Sequence, residues 1–265
     1  MLMLEGDRHG LVLEWKDTSI IIHDPSRPAR IVMSIPHDGL ITNDLEGFCK
    51  SRSSGFRGRD KHVWPVAKDV LCGAYDCGLR MSAVRFLIPR AFVDANREEP
   101  SAVNIDPDTR GQTAFDDLRL TGVYRHYHGE IERLVKAAVQ MHGKDKVLLL
   151  DMHGFGKQPT FAPPQGYDLI LGTANRATIH YGEVDREFAS FMEERKYRVF
   201  LPSDKPITLQ GDPYSAGHIT RLYARTFRIN AMQIEISPTF RSKDAQEKGE
   251  KLAKDIADFL AVHYR

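Results

Sequence analysis

Cysteine is scarce in this chain, with only Cys49, Cys72 and Cys77 among 265 residues. An odd, low count in a chain of this size is not a secreted disulfide scaffold, and the spacing of Cys72 and Cys77 fits no common zinc pattern. The thiols are read as buried or idle. An excess of charge of one sign is also missing: 37 basic residues stand against 36 acidic ones, for a formal net charge of +1. No single-sign block gives the footprint of a nucleic-acid binder. Long apolar runs are absent as well. The stretch from Met1 to Trp15 is broken by Glu5, Asp7, Arg8 and Glu14, which excludes a signal-peptide apolar region and a membrane span there. The expected setting is cytoplasmic, with neither a nucleic-acid nor a membrane partner. There is no internal repeat, no low-complexity tract and no HExxH zinc signature.

What is present is ordinary globular composition, 42% hydrophobic and 28% charged, enough for one domain over residues 1–265. Short β-branched and aliphatic runs recur at Ile20–Ile22, Ile31–Ile35, Val84–Ile88, Val147–Leu150, Leu169–Leu171, Val199–Leu201 and Ala231–Ile236, and read as strands. Between them, Ile131, Leu134, Val135 and Ala138 recur at helical spacing and predict a helix over Gly129–Met141. A second is predicted over Asp244–Tyr264, where Leu252, Ile256, Phe259 and Leu260 share one face. The alternation predicts an α/β fold, a single three-layer αβα domain with a mixed, largely parallel sheet. Two loops rich in turn formers, Asp38–Arg59 and Gly154–Tyr167, have the length of functional rims.

In open α/β sheets ligands bind beyond the carboxyl ends of the strands. Three runs deliver polar residues there: Ile31–Ile35 leads into Pro36-His37-Asp38-Gly39, Val147–Leu150 into Asp151-Met152-His153-Gly154, and Ala231–Ile236 carries Glu235 near its end. A histidine, carboxylate, histidine set suits a catalytic zinc with an open water position, and Glu235 suits a nearby proton acceptor. With 11 histidines in the chain, spacing alone does not decide for a metal.

The segment Pro89-Arg90-Ala91-Phe92-Val93-Asp94-Ala95-Asn96-Arg97-Glu98 resembles the PRAxxDxNRE signature of the N-formylglutamate amidohydrolases. In the family's order come Pro36-His37-Asp38-Gly39, Tyr127-His128, Leu149 to His153, Asp168 to Gly172, Pro213 to Thr220 and Gln233 to Ile236, a collinear match from Ile31 to about Phe240. The resemblance implies a hydrolase fold as in zinc carboxypeptidases and one zinc ion. It implies His37 and His153 as histidine ligands and Asp60 as the carboxylate, with Asp44 and Glu46 as rivals, and Glu235 as general base. Asn96 and Arg97 match a pair that grips a substrate carboxylate, for which a guanidinium fork is well shaped. Arg90 either serves the substrate or the oxyanion, or forms a salt bridge to Asp94. Asp151 orients a ligand histidine or caps the strand, and Gly217 and His218 border the substrate. His128 is read as opening a helix, where capping or packing explains it.

Four departures surround the substrate rather than the metal. Gly154 stands where the family has serine, Ala216-Gly217 replaces a double glycine, His218 replaces tyrosine, and Pro238 stands where an arginine is usual. The expected activity is zinc-dependent hydrolysis of an N-formyl or other small N-acyl amino acid such as N-formylglutamate, a small-molecule substrate with a carboxylate. The competing readings are a carboxypeptidase-like or amidase activity on a short peptide, and a silent relative that binds an acidic metabolite. The oligomeric state is left open.

Overall fold

The computed structural model describes residues 12–16, 18–42, 45–101, 112–159, 162–201 and 214–265. Asp44 and Pro213 lie outside them. The strands are β1 (Val12–Lys16), β2 (Ser19–His23), β3 (Ile31–Ile35), β4 (Met81–Phe86), β5 (Leu148–Gly154), β6 (Leu169–Gly172), β7 (Val199–Phe200) and β8 (Asn230–Ile236). They form one eight-stranded sheet in the order β1-β2-β4-β3-β5-β8-β6-β7. The centre, β4-β3-β5-β8, is parallel, while β2 joins β4 and β6 joins β8 antiparallel. The sheet is therefore mixed and largely parallel in its middle, as the sequence predicts.

The helices are α1 (Leu45–Phe48), α2 (Val63–Asp76), α3 (Thr121–His142), α4 (Val184–Glu194), α5 (His218–Phe227) and α6 (Gln246–Tyr264). Strands β3, β5 and β8 are buried along their whole length and need cover on both faces. One core layer joins Ile31, Met33, Leu148, Leu150, Met232 and Ile234 to the apolar stripes of α2 and α6. The other joins Val32, Leu149 and Ala231 to Ile131, Leu134 and Val135 of α3 and to Ile219 and Tyr223 of α5. Each such large aliphatic side chain contributes roughly 1.5–3 kcal/mol when fully buried. Among the described residues no helix is long and apolar enough to cross a membrane.

Two boundaries differ from the periodicity and bear on the site. Helix α3 begins at Thr121, not Gly129, because Tyr124, Tyr127 and His128 continue its buried stripe where only aliphatic spacing was counted. His128 therefore lies inside α3 and does not open it. Strand β5 runs through Asp151, Met152 and His153 to Gly154, since seven successive residues pair with β8. His153 is part of the strand rather than of the loop after it.

Helix α2 shows how the fold fixes a loop at the site. Val63, Val66, Ala67, Val70, Leu71 and Ala74 are buried at helical spacing, and a carboxylate oxygen of Asp38 accepts from the Trp64 amide at 2.8 Å. That bond satisfies one of the amides every helix start leaves open. It also ties the loop after β3 to the entry of α2, and Asp60 lies in that entry.

Candidate active site

Alternation along two strands puts the polar residues on one face. Leu150, Met152, Ile234 and Ile236 enter one core layer, so period-two geometry turns Asp151, His153, Gln233 and Glu235 to the opposite face. The register sets His153 beside Glu235 and Asp151 beside Gln233, with Ser34 of β3 beside Asp151. His37 follows β3 by two residues, and the Asp60 amide donates to its carbonyl at 3.0 Å. His37, Asp60, His153 and Glu235 are all buried.

The ligand atoms of His37, Asp60 and His153 lie within 4.8 Å of one another. Asp60 Oδ2 is 3.2 Å from His153 Nδ1 and 3.4 Å from His37 Nδ1. Each imidazole is held from behind through Nε2: His37 by Asp94 at 2.7 Å and His153 by Asp151 at 3.0 Å. Asp151 is itself fixed by the Ser34 hydroxyl at 2.9 Å and the Thr220 hydroxyl at 3.2 Å. Carboxylate-backed histidines are the usual outer support of a metal centre, because the second nitrogen sets tautomer and ring direction. His37 Nδ1 is buried and makes no hydrogen bond, an expensive condition that a cation between these three groups removes. The donor set fits a divalent ion. The Glu46 side chain is exposed on α1 and takes no part in this cluster.

The electrostatics follow from burial against charge. Burial alone would raise Asp60, yet the flanking imidazoles hold it below the usual carboxylate range. Burial opposes ionisation of Asp94 too, and Arg90 and His37 overcome it, leaving Asp94 well below that range. His153 is driven the other way: burial disfavours its charged form, but Asp151 beside it raises it well above an ordinary histidine. Glu235 is pushed up to about 7, first by burial and then by Asp60, with His153 and Arg90 opposing. Desolvated carboxyls with pKa near neutrality suit proton transfer.

The signature residues form the rim. Arg90 donates from Nε to Asp94 at 2.8 Å, and its Nη1 lies 3.7 Å from Asp60, so the salt bridge and a position beside the centre coexist. The Asn96 side-chain oxygen accepts from the Ile219 amide at 2.9 Å, and its nitrogen lies 3.3 Å from His153 Nε2. Arg97 is half-buried next to it, donating to the Asn96 carbonyl at 2.8 Å. Gly217 precedes α5, and a Cβ there would meet Asn96 Nδ2 at 2.0 Å. His218, the first residue of α5, lies 3.3 Å from the Tyr124 hydroxyl, which donates to the Arg97 carbonyl. The signature loop is thus pinned by α5 and α3.

His128 completes that pinning, with Nε2 at 3.0 Å from the Ala95 carbonyl and Nδ1 at 3.0 Å from the Tyr223 hydroxyl. Burial depresses it from 6.5 to about 3. A neutral histidine in the fold and a protonating one in the unfolded chain give stability that is complete above pH 6.5 and is lost as pH falls toward 3. The loss amounts to on the order of 4 kcal/mol. Urea midpoints between pH 7 and 4 are expected to fall less steeply in His128→Gln than in wild type. Parallel slopes would show that other groups carry the acid sensitivity.

Over residues 29–240 the chain matches the family described as N-formylglutamate amidohydrolase. The chain belongs to the N-formylglutamate amidohydrolase family. It is accordingly a hydrolase acting on amide bonds. Among solved structures it is similar to an N-formylglutamate amidohydrolase from Ralstonia eutropha JMP134, at 18% identity and a TM-score of 0.64 over 91% of this chain and 98% of that one. It is also similar to a gene product of Agrobacterium tumefaciens, at 17% identity and a TM-score of 0.60 over 94% of each. At such identities the likeness shows the fold. A metallo-carboxypeptidase from Pseudomonas aeruginosa aligns over 96% of this chain and 64% of its own, with 15% identity and a TM-score of 0.47. No curated protein sequence matches.

Three residues to which the sequence assigns no role of their own lie around this cluster. In the sequence Asp94 stands only as a partner of Arg90, yet it also holds His37. Arg52, in the first long loop, is almost fully buried, with its guanidinium 3.4 Å from Asp94. Arg241 is buried behind Gly154. Asp94 was legible in principle, as a carboxylate inside the signature, whereas nothing local marks an arginine in a polar loop for burial. Ala216 has φ 152°, backbone that favours glycine, at one of the positions where the family usually carries it.

Proposed function

We propose that this chain is a zinc-dependent amidohydrolase that cleaves the amide of an N-formyl or other small N-acyl amino acid, N-formylglutamate being the type substrate. We read residues 1–265 as one such domain, placed in the cytoplasm in keeping with three unpaired cysteines. The observation that carries the reading is the buried His37 Nδ1 without a hydrogen bond, facing Asp60 and His153, with Glu235 in register on the next strand.

In this reading His37, Asp60 and His153 hold the ion, which supplies Lewis acidity when bound, acidifying water and polarising the scissile carbonyl. Glu235 takes a proton from the water that attacks the carbonyl carbon and returns it to the amine as the C–N bond breaks. One water is consumed, and a free amine and a carboxylic acid leave. Arg90, held by Asp94, keeps positive charge beside the carbonyl oxygen as it becomes anionic; such a preorganised donor is worth roughly 3–4 kcal/mol. Asn96, Gly217 and His218 shape the rim, and Arg97 engages the substrate carboxylate as a fork.

The test compares kcat/KM for a free N-formyl amino acid and for its C-terminal amide. Arg97→Ala is expected to cost the free acid ~2–5 kcal/mol, roughly 30- to several-thousand-fold, and the amide far less. Arg97→Lys should recover part of the loss, since a point charge replaces a fork. Equal losses on both substrates would mean that Arg97 only supports the loop.

A further inference from the structure

We propose that Arg241 is a positioning residue of the hydrolytic centre, a clamp that fixes the segments bearing Asp60, His153 and Glu235 relative to one another. The inference rests on the metal reading given above. Arg241 is 8% exposed, and its guanidinium donates to three carbonyls: Nε to Ile236 at 2.9 Å, Nη2 to Phe155 at 2.7 Å, and Nη1 to Lys61. Each carbonyl adjoins a site residue. Ile236 follows Glu235, Lys61 follows Asp60, and Phe155 comes two residues after His153. Segments from three separate parts of the chain are thereby held by one rigid planar group.

Gly154 makes the clamp possible. A Cβ at Gly154 would lie 2.3 Å from Arg241 Nε and 2.5 Å from its Cζ, so the guanidinium occupies the space a side chain would need. Burying a cation costs several kcal/mol unless charges answer it; here burial lowers the Arg241 guanidinium from its ordinary value, and the carboxylates of Asp60, Glu235 and Asp38 offset part of that cost. Arg241 reaches this place from a tight turn, its own amide bonded to the Pro238 carbonyl at 3.2 Å. It also lies just past residue 240, where the family match ends. The glycine in β5 and the arginine after β8 therefore act as a pair.

The test measures zinc affinity of the full chain by competition with a chromophoric chelator, alongside kcat and KM. Removing an outer support typically weakens metal binding roughly 10- to 100-fold, and that loss is expected for Arg241→Met, with KM changed far less than kcat. Gly154→Ala, which displaces the guanidinium without removing it, should weaken zinc in the same way. The double variant should be no weaker than the worse single one. Arg241→Lys, which keeps the charge and fewer donors, should fall between, and it supplies the readout if the methionine variant fails to fold. Zinc affinity equal to wild type in folded Arg241→Met or Arg241→Lys would overturn the clamp alone. A wild-type chain that binds no divalent ion would instead remove the metal reading beneath it.

Discussion

Glu235→Gln is expected to lower kcat by about 10²- to 10⁴-fold, the usual worth of a positioned general acid–base, while zinc affinity stays within a few-fold of wild type. The amide has the shape of the carboxylate and can keep the contact with Gln233, whose Nε2 lies 2.9 Å from the Glu235 oxygen, but it cannot take a proton from water. A second readout separates chemistry from structure. The folded-state pKa of Glu235 is raised from 4.5 to about 7 by burial, so ionising it opposes folding, and that opposition grows as pH climbs from 4.5 through 7. At pH 8, metal-free Glu235→Gln is therefore expected to be more stable than metal-free wild type by on the order of 1–3 kcal/mol. A variant slower yet more stable marks a residue kept for chemistry. Unchanged kcat would make Glu235 a structural residue, and lost zinc would make it a ligand.

Asp60→Asn is expected to abolish turnover and to weaken zinc by more than the roughly 100-fold upper range of an outer-shell change. The carboxylate sits between two imidazoles at 3.2 and 3.4 Å and would supply the one negative charge among the three proposed ligands. It also accepts from the Gly154 amide at 3.2 Å, a bond the asparagine oxygen can keep, so the fold is expected to survive. Glu46→Gln serves as control, since its exposed side chain should leave zinc affinity unchanged. Asp44→Asn tests the remaining rival: zinc lost there and retained in Asp60→Asn would transfer the ligand role to Asp44.

The relation between sequence and site is uneven for physical reasons. Strand β3 was readable to the residue because Ile31, Val32, Met33 and Ile35 are apolar and Pro36 closes the run, and the placing of His37 beyond a carboxyl strand end follows from a general rule of such sheets. His153 and Glu235 stood out as polar residues at strand ends, and alternation with Met152, Ile234 and Ile236 explains why they share a face. Helix α2 lies outside the helices the sequence predicts, although Val63, Val66, Val70 and Ala74 recur at helical spacing. Asp60 needed the family resemblance, because a carboxylate in a polar loop carries no local sign of burial. Arg52 and Arg241 were invisible for a related reason: a buried guanidinium is explained by carbonyls and carboxylates distant in sequence, which only the fold assembles.

The most direct measurement is zinc titration of metal-stripped wild-type protein, following bound metal and the release of free amine from an N-formyl amino acid together. The expected result is one ion bound per chain, with activity rising in proportion and levelling at one equivalent, and neither binding nor activity in His153→Ala. Full turnover by the stripped protein with chelator present would contradict a metal centre at His37, Asp60 and His153.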